Sequence, residues 1–248
     1  MKPRVLIPAA LGTNRDADLA YAFELAGASA ESVPLVALRD GERSLSDYQI
    51  LAIPGGFSYG DALGAGRLFG LDIAGWFGDQ LTAAAEAGMP MFGVCNGFQA
   101  LVRAGLLPGP DRTAVLAHND SRQFECRWVQ LAATESNCVW TNGLDPIRCP
   151  VAHGEGRFVV DDVETLRAAG QVALRYSKAD GSAASLSYPE NPNGSDDDIA
   201  GICDPTGRIL GLMPHPENHV LERQDPLRGR TPSGLCLQLF RNGVEAAA

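Results

Sequence analysis

Short apolar runs in the first hundred residues alternate with stretches of helical spacing. The apolar runs predict buried strands, and they occupy residues 5–7, 33–38, 50–53 and 91–94. Helices are predicted over residues 16–25, 72–87 and about 96–104. The signals are apolar residues at helical intervals, and Gly or Pro residues where a helix would end. This alternation predicts an α/β fold in which helices cover both faces of a sheet with a parallel core.

The second half of the chain has the pattern of additional antiparallel strands. Residues 124–131 alternate between apolar and polar, as a half-exposed strand does. Shorter runs predict strands around residues 148–152, 157–160, 172–176, 199–203 and 209–213. The aspartates at 196–198 are interpreted as part of a solvated loop. After residue 230, a closing helix is expected with Pro232 in its first turn. Because no repeat or linker interrupts the pattern, residues 1–248 are predicted to form a single domain.

Composition and charge narrow the classes of partner and cofactor. The 20 basic and 30 acidic residues give a net charge of −10, which repels phosphate backbones, so no nucleic-acid partner is expected. No apolar stretch is long enough to span a membrane. The chain has only two lysines and no phosphate-binding loop, so ATP is expected on another chain. Its six cysteines form no C-x-x-C pair, which predicts no metal site and a reducing cytoplasmic setting.

The strongest chemical motif lies at the end of the fourth predicted strand. Residues 93–97 read Gly-Val-Cys-Asn-Gly, the layout of a nucleophile elbow with cysteine in the place of serine. A sharp turn from strand to helix leaves no room for side chains two positions before and after the nucleophile, so glycine fits both places. The following helix directs its positive end at Cys95, which favours a thiolate nucleophile. The alternative is an inert buried thiol.

A base and an acid for this thiol lie far along the chain. His215 is followed by Pro216 and then by Glu217, and in an extended segment the residues at i and i+2 point the same way. Glu217 would then orient the His215 ring, as the acid of a catalytic triad does. The alternative is an ordinary turn. An oxyanion is expected to be held by the N–H of Asn96 and by that of Gly56 or Gly55, which follow another predicted strand.

These motifs resemble those of a known family. Residues 93–99, 54–56 and 214–217 resemble the class I glutamine amidotransferases. Further segments are similar to the glutaminase component of phosphoribosylformylglycinamidine synthase, and they are residues 55–61, 151–157, 191–195 and 199–201. The resemblance covers nearly the whole chain and implies a flavodoxin-like fold.

The resemblance also implies roles for particular residues. It makes Cys95 the nucleophile, His215 the base and Glu217 its orienting acid. It places Gln99 at the glutamine-binding position, for which the alternative is ordinary polarity at the start of a helix. It places His153 and Gly154 in a loop that lines the same pocket, although His153 is equally consistent with a buried structural histidine. The remaining two histidines, at positions 118 and 219, are interpreted as surface or loop residues.

The implied activity is hydrolysis of L-glutamine through a thioester on Cys95. Ammonia would pass to a partner synthetase that converts formylglycinamide ribonucleotide into formylglycinamidine ribonucleotide during purine biosynthesis. ATP and magnesium are expected on that synthetase, a small third subunit is expected in the complex, and no cofactor is expected in this chain. Glutaminase activity is expected to be low until the synthetase docks.

Three other functions fit parts of the pattern. A cysteine hydrolase or peptidase that acts alone fits the elbow, but it does not account for the purine-specific segments. A catalytically silent subunit fits a supporting role, but it does not account for the intact set of Cys95, His215 and Glu217. A flavin-binding module fits only the predicted fold.

Overall fold

A computed structural model of the chain describes residues 2–227 and 235–248. The strands of the described residues are β1 (Arg4–Ala9), β2 (Ser29–Pro34), β3 (Ile50–Ile53), β4 (Met91–Val94), β5 (Ala114–Ala117), β6 (Glu125–Ala133), β7 (Ile147–His153), β8 (Arg157–Val160), β9 (Val172–Ser177), β10 (Ile199–Cys203) and β11 (Ile209–Leu212). The α-helices are α1 (Asp16–Leu25), α2 (Leu35–Arg39), α3 (Arg67–Glu86), α4 (Asn96–Arg103), α5 (Val163–Ala168) and α6 (Leu237–Ala246).

Nine of these strands form one mixed sheet in the order β2-β1-β3-β4-β11-β10-β9-β6-β7. The first five are parallel neighbours, and their order is that of a flavodoxin-like sheet. The next four pair antiparallel and extend the sheet on one side. Strands β5 and β8 form a separate antiparallel pair. The predicted α/β class, with a parallel core and added antiparallel strands, is confirmed.

Consecutive residues of β4 show that helices cover both faces of the sheet. Phe92 packs against Phe23 of α1 and Phe240 of α6, with ring centroids 6.2 and 5.4 Å away. Gly93 points the opposite way, because successive strand residues alternate between faces, and it lies against Leu101 of α4. The core therefore consists of one layer of side chains on each side of the central strands.

The predicted strand over residues 33–38 is wrong in its extent. Strand β2 begins at Ser29 and ends at Pro34, and the apolar residues after it form the short helix α2. Strand β2 lies at the edge of the sheet and pairs only with β1, so its polar residues remain close to water. Leu35 and Leu38 are three positions apart on α2, and both are buried.

Two polar residues that the sequence assigns to the surface or to loops, Asp198 and His219, are buried. Asp198 is 1% exposed and accepts hydrogen bonds from the Leu186 N–H at 2.8 Å and the Asn191 amide at 3.0 Å, so the aspartate run is not simply a solvated loop. Asp197 pairs with Arg175 at 2.5 Å. His219 is 3% exposed, because its Nδ1 donates to a backbone carbonyl oxygen of β7 and its ring packs inside the molecule.

The start of one helix also differs from the sequence prediction. Helix α3 begins at Arg67, five positions before the predicted start. The expected closing helix is α6, which the structure describes over Leu237–Ala246. The predicted first turn at Pro232 lies outside the described residues. Within the described ranges, no helix is both long enough and apolar enough to cross a membrane.

Two helical glycines offer a matched test of this packing. A Cβ on Gly243 of α6 would lie 1.9 Å from the Trp140 ring, whereas a Cβ on Gly78 of α3 would meet nothing within 4 Å. We expect Gly243→Ala to lower the free energy of unfolding by about 1–3 kcal/mol or more through overpacking. Gly78→Ala should raise it by about 1 kcal/mol through helix propensity. Urea unfolding measures both, and equal effects would contradict the described packing of α6.

Candidate active site

A strained cysteine joins β4 directly to α4. Cys95 has φ +49° and ψ −106°, a backbone conformation that residues with side chains rarely adopt. A Cβ on Gly97 would lie 2.0 Å from the carbonyl oxygen of Ile53, and a Cβ on Gly93 would lie 2.5 Å from the Leu101 side chain. Both glycines of the elbow are therefore required by close contacts, as the spacing predicts.

The thiol of Cys95 lies between the central strands and β7. Its side chain is 5% exposed, and Sγ is 3.8 Å from the carbonyl oxygen of Ala152. The Cys95 N–H donates to the carbonyl oxygen of Leu212 at 2.8 Å. Leu212 is the last residue of β11, so this bond ties the elbow to the strand that leads towards His215.

His215 and Glu217 form a buried ion pair at the end of β11. His215 Nδ1 lies 2.6 Å from Glu217 Oε1, and both side chains are almost fully buried. Burial lowers the pKa of His215, but the Glu217 carboxylate and the Cys95 side chain, which hydrogen-bonds to the ring, outweigh burial and raise that pKa to about 10. The structure thus brings the three predicted triad residues together, because Glu217 lies on Nδ1 of the ring and the Cys95 side chain hydrogen-bonds to the same ring.

The predicted oxyanion residues also lie at this edge of the sheet. A Cβ on Gly55 would lie 2.7 Å from Cε1 of His215, so the glycine allows the loop to pack against that ring. Gly56 has φ +139°, and a Cβ there would lie 2.8 Å from the Asn14 backbone nitrogen. Asn96 is the first residue of α4, where a backbone N–H has no acceptor within the helix.

The side chain of Asn96 has a second function that the sequence prediction missed. Its Oδ1 accepts from the Ser58 N–H at 3.2 Å, and its Nδ2 lies 3.3 Å from Asp61 Oδ1. These bonds fasten the loop that follows β3 to the start of α4. The glycines of that loop are thereby held beside Cys95.

A cavity of about 200 Å³ opens beside the thiol, and its lining includes Gly56, Cys95, Gln99, His153, Gly154 and Glu155. Gln99 is buried; its Oε1 accepts from Asn96 Nδ2 at 3.1 Å and its Nε2 donates to the Glu155 carbonyl oxygen. His153 is also buried, and burial together with the charge of His215 lowers its pKa to about 3. All three residues predicted to bind substrate therefore line this cavity.

Two acidic residues of the cavity were not singled out by the sequence prediction. Glu155 Oε2 accepts from the Ala65 N–H at 3.3 Å, and Asp61 bonds to Asn96. Burial, followed by the nearby Glu155 carboxylate, raises the pKa of Asp61. Glu155 stands inside one of the motifs that carry the family resemblance, which was a usable signal. His118, also on this lining, is exposed as predicted.

Comparison with known proteins identifies the family. The model of the CobB/CobQ-like glutamine amidotransferase domain matches residues 2–245. This chain belongs to that family. It is 47% identical to phosphoribosylformylglycinamidine synthase subunit PurQ of Treponema denticola, with 98% of each chain covered. It is 43% identical to the PurQ subunit of Dehalococcoides mccartyi, with 99% of this chain and 98% of that one covered.

Solved structures support the same relationship. The structure of PurLQS from Thermotoga maritima contains a chain that is 34% identical to this one, with a TM-score of 0.76 and 99% of each chain covered. A glutamine amidotransferase from the same organism is 17% identical with a TM-score of 0.52, over 90% of this chain and 79% of that one, which shows a shared fold alone. In residues 2–227 and 235–248, no cluster of three or more His, Cys, Asp or Glu side chains could hold a metal ion.

The charge of Glu217 is expected to control the protonation of His215. Glu217→Gln removes the carboxylate that most strongly raises the pKa of His215, so burial should then dominate and that pKa should fall by more than one unit. An NMR titration of the His215 ring measures the change. Glu155→Gln, which removes a carboxylate from the lining of the same cavity, is the control and should leave the value nearly unchanged. Equal shifts in the two variants would contradict the assigned ion pair.

Proposed function

We propose that this chain is the glutaminase subunit of a phosphoribosylformylglycinamidine synthase and that Cys95, His215 and Glu217 are its catalytic triad. The observation that carries the proposal is the buried contact of these three side chains beside a cavity, at the strained end of β4. The family relationship supports glutamine as the substrate.

In the first half of the reaction, the Cys95 thiolate attacks the side-chain amide carbon of glutamine. A carbon–sulfur bond forms, and the carbonyl electron pair moves onto oxygen. The N–H groups of Asn96 and Gly56, or of Gly55, stabilise this oxyanion. The carbon–nitrogen bond then breaks, and His215 gives the proton on Nε2 to the departing ammonia. His215 is suited to this step because its ring, paired with Glu217, is protonated at neutral pH.

In the second half, water hydrolyses the γ-glutamyl thioester. His215 takes a proton from the water as its oxygen attacks the thioester carbon, and the carbon–sulfur bond breaks to release glutamate and the Cys95 thiolate. Glutamine and water are thereby converted into glutamate and ammonia. Glu217 keeps the ring oriented and compensates its positive charge throughout.

Substrate contacts are assigned to one side of the cavity. Glutamine contacts the wall of the cavity that is formed by Gln99, His153, Gly154 and Glu155, and the first three of these residues bind it. The two buried polar side chains are already fixed by hydrogen bonds, so this wall is preformed. A preformed wall lowers the cost of ordering the site when glutamine binds.

The ammonia is consumed by a partner chain. The PurLQS structure supports a synthetase as that partner and a third subunit in the complex. The synthetase converts formylglycinamide ribonucleotide into formylglycinamidine ribonucleotide with ATP and magnesium bound on its own chain. Docking of the synthetase over the cavity raises glutaminase activity. The cytoplasm is the proposed location, which suits six cysteines that all carry free thiols.

Replacing the nucleophile should separate the two sources of nitrogen. In the complex with the synthetase, Cys95→Ala should lower glutamine-dependent synthesis by at least about 10³-fold, because no thioester forms. Synthesis from added ammonia should stay within about twofold of the native rate. The assay measures formylglycinamidine ribonucleotide with each nitrogen source. Loss of both activities would mean that Cys95 is structural, and retention of both would remove it from the mechanism.

Chemical labelling tests the reactivity of the same thiol. A glutamine analogue with an electrophilic carbon should modify Cys95 in the complex, as mass spectrometry of peptides would show. Cys126 is the control, because it is the exposed cysteine whereas the other five are buried. A general alkylating reagent should reach Cys126 first, while the glutamine analogue should leave it intact. Modification of Cys126 by the analogue, with Cys95 unmodified, would contradict the proposed site.

A further inference from the structure

Two buried asparagines hold the cavity wall formed by residues 153–156. Asn119 is 1% exposed, and its Nδ2 donates to the carbonyl oxygen of His153 at 2.8 Å. Its Oδ1 accepts from the Gly156 N–H at 3.1 Å, and its own N–H donates to the carbonyl oxygen of Gly154 at 2.9 Å. A single side chain thus bridges the two ends of this turn.

The second asparagine, Asn193, is fully buried on the other side of the turn. Its Nδ2 donates to the Gly156 carbonyl oxygen at 2.8 Å and lies 3.1 Å from His153 Nε2 and from the Tyr176 hydroxyl. Its Oδ1 accepts from the hydroxyl and the N–H of Ser195, at 2.7 and 3.1 Å. These opposite partners fix which end of the amide is NH₂. They also give a role to residues 191–195, which no step of the mechanism uses.

The orientation of Asn193 determines the protonation of His153. Asn193 Nδ2 carries two hydrogens: one goes to the Gly156 carbonyl oxygen, and the other is shared between His153 Nε2 and the Tyr176 hydroxyl. A hydrogen on His153 Nε2 would point at this donor group, which favours Nε2 as an acceptor and the single proton of the neutral ring on Nδ1. A Cβ on Gly156 would lie 2.1 Å from Cδ2 of the same ring, so the ring has no space to move towards this turn. The Nδ1 atom is buried and has no hydrogen-bond partner among the described residues. A buried donor without a partner is costly and is typical of functional sites.

The neighbours of His153 require it to stay uncharged. Burial lowers the pKa of His153, and the positive charge of His215 lowers it further, to about 3. Burial also raises the pKa of the Tyr176 hydroxyl well above its usual value, so this partner of Asn193 is neutral as well. A positively charged His153 would repel the His215 imidazolium and lower the pKa of His215. His215 would then hold less firmly the proton that it gives to ammonia.

We propose that Asn193 is a positioning residue for the glutaminase reaction, which keeps His153 neutral with its proton on Nδ1 and, together with Asn119, holds residues 153–156 in the shape that binds glutamine. The choice of glutamine as ligand rests on the proposed function. The protonation of His153 does not depend on that function, since it follows from hydrogen bonds within the chain.

The ring of His153 provides a direct readout in the native protein. The ¹⁵N NMR signals of its imidazole at neutral pH should show a neutral ring with the proton on Nδ1. In Asn193→Asp, a carboxylate replaces the donor and accepts instead, so the proton should move to Nε2 or the ring should become charged. A native ring with the proton on Nε2 would overturn the proposal, and so would a ring unaffected by Asn193→Asp.

Kinetics of the complex with the synthetase test the effect on glutamine. In Asn193→Ala, the KM for glutamine should rise about tenfold or more, while kcat and ammonia-dependent synthesis should change by less than about threefold. The control is Asn242→Ala, which removes a buried asparagine whose Nδ2 donates to the carbonyl oxygens of Trp140 and Asn142 at 2.9 and 2.8 Å. This variant should lose stability without a change in KM.

The possible outcomes separate the two proposals. An unchanged KM in Asn193→Ala, or an equal rise in Asn242→Ala, would overturn the positioning role. If Asn193→Ala does not fold, the tautomer of the native ring and the Asn193→Asp variant still decide the matter. If Cys95→Ala kept full glutamine-dependent synthesis, the proposed function would fail even though the His153 proton lay on Nδ1.

Discussion

The site depends on one close approach of two backbones at the junction of β4 and α4. Gly97 lies so close to the carbonyl oxygen of Ile53 that a Cβ would be 2.0 Å from it, and Cys95 keeps a left-handed conformation to make the turn possible. Ile53 is the last residue of β3, so the same contact brings the loop after β3 beside the thiol. The nucleophile and the candidate oxyanion donors are therefore positioned by a single steric constraint, and α4 must begin within one residue of the strand's end.

Two buried histidines near Cys95 differ in charge: His215 is positive and His153 is neutral at neutral pH. A carboxylate lies 2.6 Å from His215, and an amide NH₂ group lies 3.1 Å from His153. Burial disfavours the cation in both rings; at His215 the Glu217 carboxylate and the Cys95 side chain outweigh it, whereas at His153 the charge of His215 adds to the effect of burial. Only one imidazolium, that of His215, therefore lies near Cys95, because two adjacent imidazolium ions in a buried setting would repel each other.

The parts of the site that the sequence predicts are those set by local geometry. The elbow around Cys95 is visible because steric constraints act within a few residues. The pairing of His215 with Glu217 is visible from their short spacing, although Pro216–His219 form a 3-10 helix and not the extended segment that the prediction assumed. Strand β2 was misplaced because an edge strand tolerates polar residues, while the apolar run after it buries Leu35 and Leu38 on a helix. Strand and helix boundaries depend on such neighbours, which a local pattern does not contain.

The roles of Asn119 and Asn193 could not be predicted, because each acts on residues 34 to 40 positions away. A flavodoxin-like sheet alone ends at β11 and brings together only the elbow and His215. The antiparallel extension continues the sheet to β7, where the Ala152 carbonyl oxygen lies 3.8 Å from Cys95 Sγ, and the turn after β7 adds Gly154 and Glu155 to the lining of the cavity. The cavity wall is thus a product of the extension, and buried asparagine amides hold it by bonding to the carbonyl oxygens of His153 and Gly156.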